Sequence, residues 1–190
     1  MTASSRRAAR GLLVSALVIG AFVRYGIFPP HAAAATPACN GLAATIVQAP
    51  GETAVHGTQG DDVIVALDGA VRVDARGGND TICAGPGDNI INGGAGDDWI
   101  QAGDGNNTVD TGTGNVNTVF AGTGNDTIVG NSGNDSAYGG DGDNLISLQG
   151  GDDVLVAGSG SDRLWGAKGF DTCDAGGGVN YVGACEAGSR

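Results

Sequence analysis

Gly93-Gly-Ala-Gly-Asp-Asp-Trp-Ile-Gln101 decides the fold, because its pattern returns every nine residues on both sides of it. Frames begin at residues 57, 66, 75, 84, 93, 102, 111, 121, 130, 139, 148, 157, 166 and 175, and only the frame at 111 carries one extra residue. The fourth position is glycine in all fourteen frames, Gly60 to Gly178, which a glycine-rich composition alone does not produce. The sixth is Asp62, Asp80, Asp98, Asp126, Asp135, Asp153, Asp162 or Asp171, or else Asn89, Asn107, Asn117, Asn144 or Asn180, with Val71 the single outlier. The eighth is nearly always a branched aliphatic, as at Ile64, Val73, Ile82, Ile100, Ile128, Ile146 and Leu164.

Each position has a physical reading. Glycine permits backbone with φ > 0 and leaves room beside the carbonyls. One apolar residue between outward neighbours marks a three-residue strand. Six turn residues and three strand residues, repeated, wind the chain into coils of two repeats. Each coil hydrogen-bonds to the next, and the eighth-position side chains stack inside. The expected fold is an all-β parallel solenoid. Extending the frame backwards reaches Val55 and Ile46, so residues 36–56 read as capping rungs, 57–183 as fourteen repeats and 184–190 as a tail.

The first 35 residues read as an address. Arg6, Arg7 and Arg10 precede the thirteen-residue apolar run Gly11 to Val23, and His31-Ala-Ala-Ala-Ala35 supplies an A-x-A cleavage site. That run is shorter than the roughly twenty residues a bilayer requires, so the reading is a secretory signal peptide with no membrane span after cleavage. From residue 36 onward five basic residues face all 21 acidic ones, a net charge of −16. Such a chain repels nucleic acid and anionic lipid. Nineteen of the acids are Asp, which beside Gly and Asn means turns rather than helices.

The repeat quoted above fits G-G-x-G-x-D-x-U-x at every defined position. Over residues 57–183 the chain resembles the RTX, or haemolysin-type, calcium-binding nonapeptide-repeat proteins. The resemblance implies a right-handed parallel β-roll with calcium ions held between turns of successive coils. It implies as ligands the turn carbonyls and the position-six side chains of Asp62, Asp80, Asp98, Asp126, Asp135, Asp153, Asp162 and Asp171, joined by Asn89, Asn107 and Asn144. Val71 cannot ligate through its side chain, and the insertion near Val116 is expected to displace Asn117 and disturb the two sites that use its turn.

Ligand chemistry agrees. Calcium takes six to eight hard oxygens in flexible geometry, whereas zinc wants Cys or His, and after residue 35 the only histidine is His56, read as a solvated turn residue. Neither Glu52 nor Glu186 closes an EF-hand loop, and magnesium rarely takes an all-protein cage. Stacked coils would hold carboxylates about 5 Å apart, a repulsion that a cation relieves. Each repeat is expected to bury one aliphatic side chain, worth about 1.5–3 kcal/mol, against roughly 9–18 kcal/mol of backbone ordering. Calcium binding is therefore expected to be coupled to folding.

No Ser/His/Asp set surrounds His56 and no phosphate-binding loop is present, so a non-enzymatic role is expected. The leading reading is a secreted calcium-binding module; the alternative is an extracellular adhesion or interaction protein that uses the calcium-built roll as scaffold. Positions seven and nine point outward. After the Asp-rich turns they display Val63, Val65, Trp99, Phe120, Tyr138, Val154 and Val156, a candidate face for self-association or a protein partner around Trp99, Phe120 and Tyr138. An ice-binding surface would need a regular Thr or Asn array, which position seven does not keep. Four cysteines in a secreted chain suggest disulfides, with Cys173–Cys185 the first choice and Cys39–Cys83 following by elimination.

Overall fold

Each nonapeptide resolves into a turn and a short strand, and the strands alternate between two sheets. This computed structural model describes residues 36–185, among which there is no helix. The first sheet stacks eight strands: Ile46–Val47, Val63–Ala66, Thr81–Ala84, Trp99–Gln101, Thr118–Phe120, Ser136–Tyr138, Val154–Val156 and Thr172–Asp174. The second stacks Ala54–His56, Arg72–Asp74, Ile90–Asn92, Thr108–Asp110, Thr127–Val129, Leu145–Ser147, Arg163–Trp165 and Tyr181–Gly183. All pairings within both are parallel and in register, so that Ile82 faces Ile100 and Val109 faces Ile128. This is the parallel solenoid expected from the period, with two repeats in each coil.

Stacking in register is what makes the core. The eighth-position residues from Val55 to Cys173 are buried between the sheets, where each touches its equivalents above and below. The sequence reading allowed one buried side chain per repeat; the structure buries a second, at position one. Ala66, Ala75, Ala84, Ala102, Ala121, Ala157 and Ala175 all lie inside. Space there is shared between coils: Gly130 leaves a gap that Leu148, one coil on, fills.

Position four needs glycine for two reasons. Gly96 sits at φ 124°, and any Cβ on it would collide with the carbonyl oxygen of Gly78 in the coil below. The column repeats along the roll, so turns approach one another backbone to backbone.

The N-terminal segment adds a feature the period does not contain. Ala38–Cys39 pairs antiparallel with Leu42–Ala43 through Asn40-Gly41, both at positive φ, the turn that an Asn-Gly pair favours in a two-residue hairpin. The hairpin lies on the outer side of strands Val63–Ala66 and Thr81–Ala84 and is tied there by Cys39–Cys83. Val65, expected to face outward, is therefore only 2% exposed. Gln48 closes the first turn of the roll, accepting from the Asp68 N–H and donating to the Asp68 carbonyl. At the other end Cys173 is bonded to Cys185. The expected signal peptide and residues 186–190 of the tail lie outside the described residues.

Two isoleucines test this packing. With calcium present, Ile100→Ala should lower unfolding stability by about 2–5 kcal/mol, as buried truncations do. Ile90→Ala, at a site 48% exposed, should stay within about 0.5 kcal/mol. Urea unfolding followed by circular dichroism measures both; equal losses would contradict the inward and outward assignment.

Candidate metal centre

The position-six side chains turn inward at the two edges of the roll. Thirteen of the fourteen are Asp or Asn. One edge carries Asp62, Asp80, Asp98, Asn117, Asp135, Asp153 and Asp171; the other carries Val71, Asn89, Asn107, Asp126, Asn144, Asp162 and Asn180. All but Asn180 are buried.

Each of the Asp and Asn side chains first serves the backbone. The position-six N–H has no partner in its own turn, and it donates to Oδ1 of the position-six residue one coil further on. Asp80 N–H donates to Asp98 Oδ1 at 2.9 Å, Asn117 N–H to Asp135 Oδ1 at 2.8 Å and Asp126 N–H to Asn144 Oδ1 at 3.0 Å. The chain of bonds runs unbroken from Asp62 to Asp171 on one edge and from Val71 to Asn180 on the other. Val71, which has no side-chain oxygen, stands at the start of its column of repeats and enters the ladder only as a donor, to Asn89 Oδ1. Asn117 keeps its place in the other. The inserted residue is absorbed by the turn at Val116, whose N–H, like that of Asn115, donates to Asp97 Oδ1. The expected displacement of Asn117 does not occur.

A second ladder, which the sequence reading missed, runs through position five in the opposite sense. Asp97 N–H donates to Asn79 Oδ1, Asp152 N–H to Asn134 Oδ1 and Asn125 N–H to Asn106 Oδ1, each at 2.8 Å and each to the preceding coil. Its signal was present, since position five is Asp or Asn in ten of the fourteen frames, but the general motif leaves that place undefined.

The second carboxylate oxygen defines the candidate site. Oδ2 of Asp80, Asp98, Asp126, Asp135, Asp153, Asp162 and Asp171 is buried and has no hydrogen-bond donor. Asn residues reveal what surrounds that position. Asn107 Nδ2 donates to the carbonyls of Gly103 at 3.1 Å, Gly105 at 3.0 Å and Ala121 at 3.3 Å; Asn89 Nδ2 donates to Gly85 and Ala102. In these Asn turns carbonyls thus converge on the outer atom of position six. In the equivalent Asp turns that atom is Oδ2, an acceptor, which cannot bond a carbonyl. Orphaned anionic oxygens among backbone carbonyls form a hard, all-oxygen donor set that fits calcium. Among the described residues no group of three or more His, Cys, Asp or Glu side chains is disposed to hold a metal, so a cation here depends on the backbone.

Asp62 differs from the other carboxylates, because its Oδ2 accepts from the N–H and hydroxyl of Thr58 at 2.6 and 2.9 Å. His56, read as a turn residue, ends a strand of the second sheet and lies 3.6 Å from Asp74. Burial pushes the Asp80 carboxyl up to about 7 and those of Asp98, Asp126 and Asp153 up to about 6, against the pull of the ladder N–H groups. Asp135 is raised by the same cause.

The RTX calcium-binding nonapeptide repeat matches the chain at residues 56–91, 84–116, 111–146, 120–155 and 148–182. No curated protein and no solved structure matches it.

Protons and cations answer the same need at these oxygens. Carboxyls whose affinity for protons is higher folded than unfolded stabilise the fold fully below the ordinary range and lose that effect as pH rises through about 6–7. In chelator the β signal should therefore increase as pH falls from 7.5 to 5, and Asp80→Asn should reduce that dependence. Circular dichroism against pH checks it; a signal that grows with pH would contradict the burial of these groups.

Proposed function

The chain belongs to the family of RTX calcium-binding nonapeptide-repeat proteins, and on that premise we propose that it is a secreted, non-enzymatic β-roll whose folding is coupled to calcium. One observation carries the reading: seven buried Asp Oδ2 atoms lack a donor, at the position where the Asn turns bring backbone carbonyls together. Asp80, Asp98, Asp126, Asp135, Asp153, Asp162 and Asp171, with the turn carbonyls, would hold the ions. Calcium would supply the positive charge that this oxygen set lacks and tie one coil to the next. Two disulfides support an oxidising compartment. Among the described residues no helix is long and apolar enough to cross a membrane.

A second reading rests on a different observation. On the outer face of the first sheet Phe120 and Tyr138 stack with centroids 4.8 Å apart, and Trp99 lies 5.6 Å from Phe120. Phe120 and Tyr138 are each 36% exposed. Beside the row Pro86, Gln101 and Asp104 line a groove of about 520 Å³. Contiguous apolar surface of this kind suits a partner, and the calcium-built roll would then be the scaffold that displays it to a second copy or to another extracellular protein.

Calcium titration of the chelated protein should convert a largely disordered spectrum into a β spectrum. The dissociation constants should be on the order of 10⁻⁴–10⁻³ M, as for extracellular modules. An unchanged spectrum across the titration, with no heat of binding, would refute the coupling. For the aromatic row, Trp99→Ser with Tyr138→Ser should abolish a calcium-induced oligomer seen by sedimentation. A wild-type protein that stays monomeric at high concentration in calcium removes self-association.

A further inference from the structure

The two edges of the roll carry the same ladder but different outer atoms. On the Asp-rich edge the position-six residues other than Asn117 are carboxylates, and all of these except Asp62 leave Oδ2 orphaned. On the other edge Asn89, Asn107, Asn144 and Asn180 present an amide instead. Its orientation is set by the ladder, since the backbone N–H of Val71, Asn89, Asp126 and Asp162 needs an acceptor and so takes Oδ1. Nδ2 must then point where Oδ2 points in an Asp turn. The glycines at position one give the comparison directly: a Cβ on Gly130 would lie 2.8 Å from Asp135 Oδ2, and one on Gly139 would lie 3.1 Å from Asn144 Nδ2.

In that place each amide donates into its turn. Asn144 Nδ2 bonds the carbonyls of Gly140 and Gly142, both at 3.1 Å, and Asn180 Nδ2 bonds Ala175 at 2.7 Å; Asn89 and Asn107 also reach the next coil, at Ala102 and Ala121. These four side chains have both functional atoms satisfied within the protein. An N–H pointing at the carbonyls also occupies the space that a cation would fill, and presents it with the positive end of the amide dipole.

We propose that Asn89, Asn107, Asn144 and Asn180 are built-in substitutes for calcium: their amide groups plug the turn, so that these repeats close without metal while ions enter only where position six is Asp. The expected neutral-oxygen ligands at Asn89, Asn107 and Asn144 are thereby reassigned. One edge becomes a seam that needs no cation apart from Asp126 and Asp162, and the facing edge becomes the calcium-sensitive one. Asn117 is the informative exception, because its Nδ2 is buried without an acceptor, in the one turn that carries an inserted residue. This assignment rests on the calcium reading above.

Calcium stoichiometry by equilibrium dialysis of the purified protein, with calcium alone as probe, separates the possibilities. Converting Asn89, Asn107 and Asn144 together to Asp should add an ion for each turn converted and make folding more demanding of calcium. Asn107→Ala should destabilise the roll, by removing a ladder acceptor, yet leave the number of bound ions unchanged. Asp162→Asn, on the same edge, should lose an ion and remain folded, a check that holds even if the triple variant does not fold. Loss of calcium from Asn107→Ala, or unchanged stoichiometry in both the folded triple variant and Asp162→Asn, would overturn the plug. A wild-type protein that binds no calcium would instead overturn the calcium reading itself.

Discussion

Everything in this roll depends on one hydrogen bond repeated along two columns, from the backbone N–H at position six to Oδ1 of the same position one coil further on. It solves a problem that any solenoid with tight turns must face. Strand residues pair in the sheets, but the last turn residue has a buried N–H pointing along the stack. Supplying the acceptor from the next coil makes each turn define the height of its neighbour, and the sheets inherit their register from that spacing.

That bond also explains why position six tolerates Asp and Asn alike, and why the choice between them still matters. Either provides Oδ1. They differ in the second atom, which lies among carbonyl oxygens. An amide satisfies those oxygens, while a carboxylate adds another anion to them and so creates a demand for a proton or a cation. Buried polar atoms without partners are costly, and here they recur with the period of the chain, which marks them as a site rather than as scattered imperfections.

Much of this was legible in one dimension. A nine-residue period with glycine at position four and an aliphatic at position eight leaves few folds open, and the buried rows Ile64–Ile82–Ile100 and Val73–Ile91–Val109 follow from it. Less legible were features that depend on what lies one coil away. The position-five ladder was visible as Asp or Asn in ten frames, yet composition alone could not show that its oxygen bonds backward while that of position six bonds forward. The alanines of position one, a place the general motif writes as glycine, proved to be core. The hairpin at Asn40-Gly41 went unread among residues 36–56, and nothing local shows that it folds back over Val65.

The sequence by itself determined the period, the direction each side chain takes along the strand, and the accumulation of acid in the turns. These are properties of neighbours in the chain, set by backbone geometry and residue type. Tertiary structure alone decided which atoms of equivalent residues meet. Only stacking shows that Asn107 Nδ2 meets carbonyls and that Asp98 Oδ2 is buried without a donor. It also shows that an extra residue at Val116 can bulge outward and leave Asn117 in line. The reason is physical: in a solenoid, contacts between residues eighteen apart decide how each polar atom is satisfied, and no reading along the chain measures the space between coils.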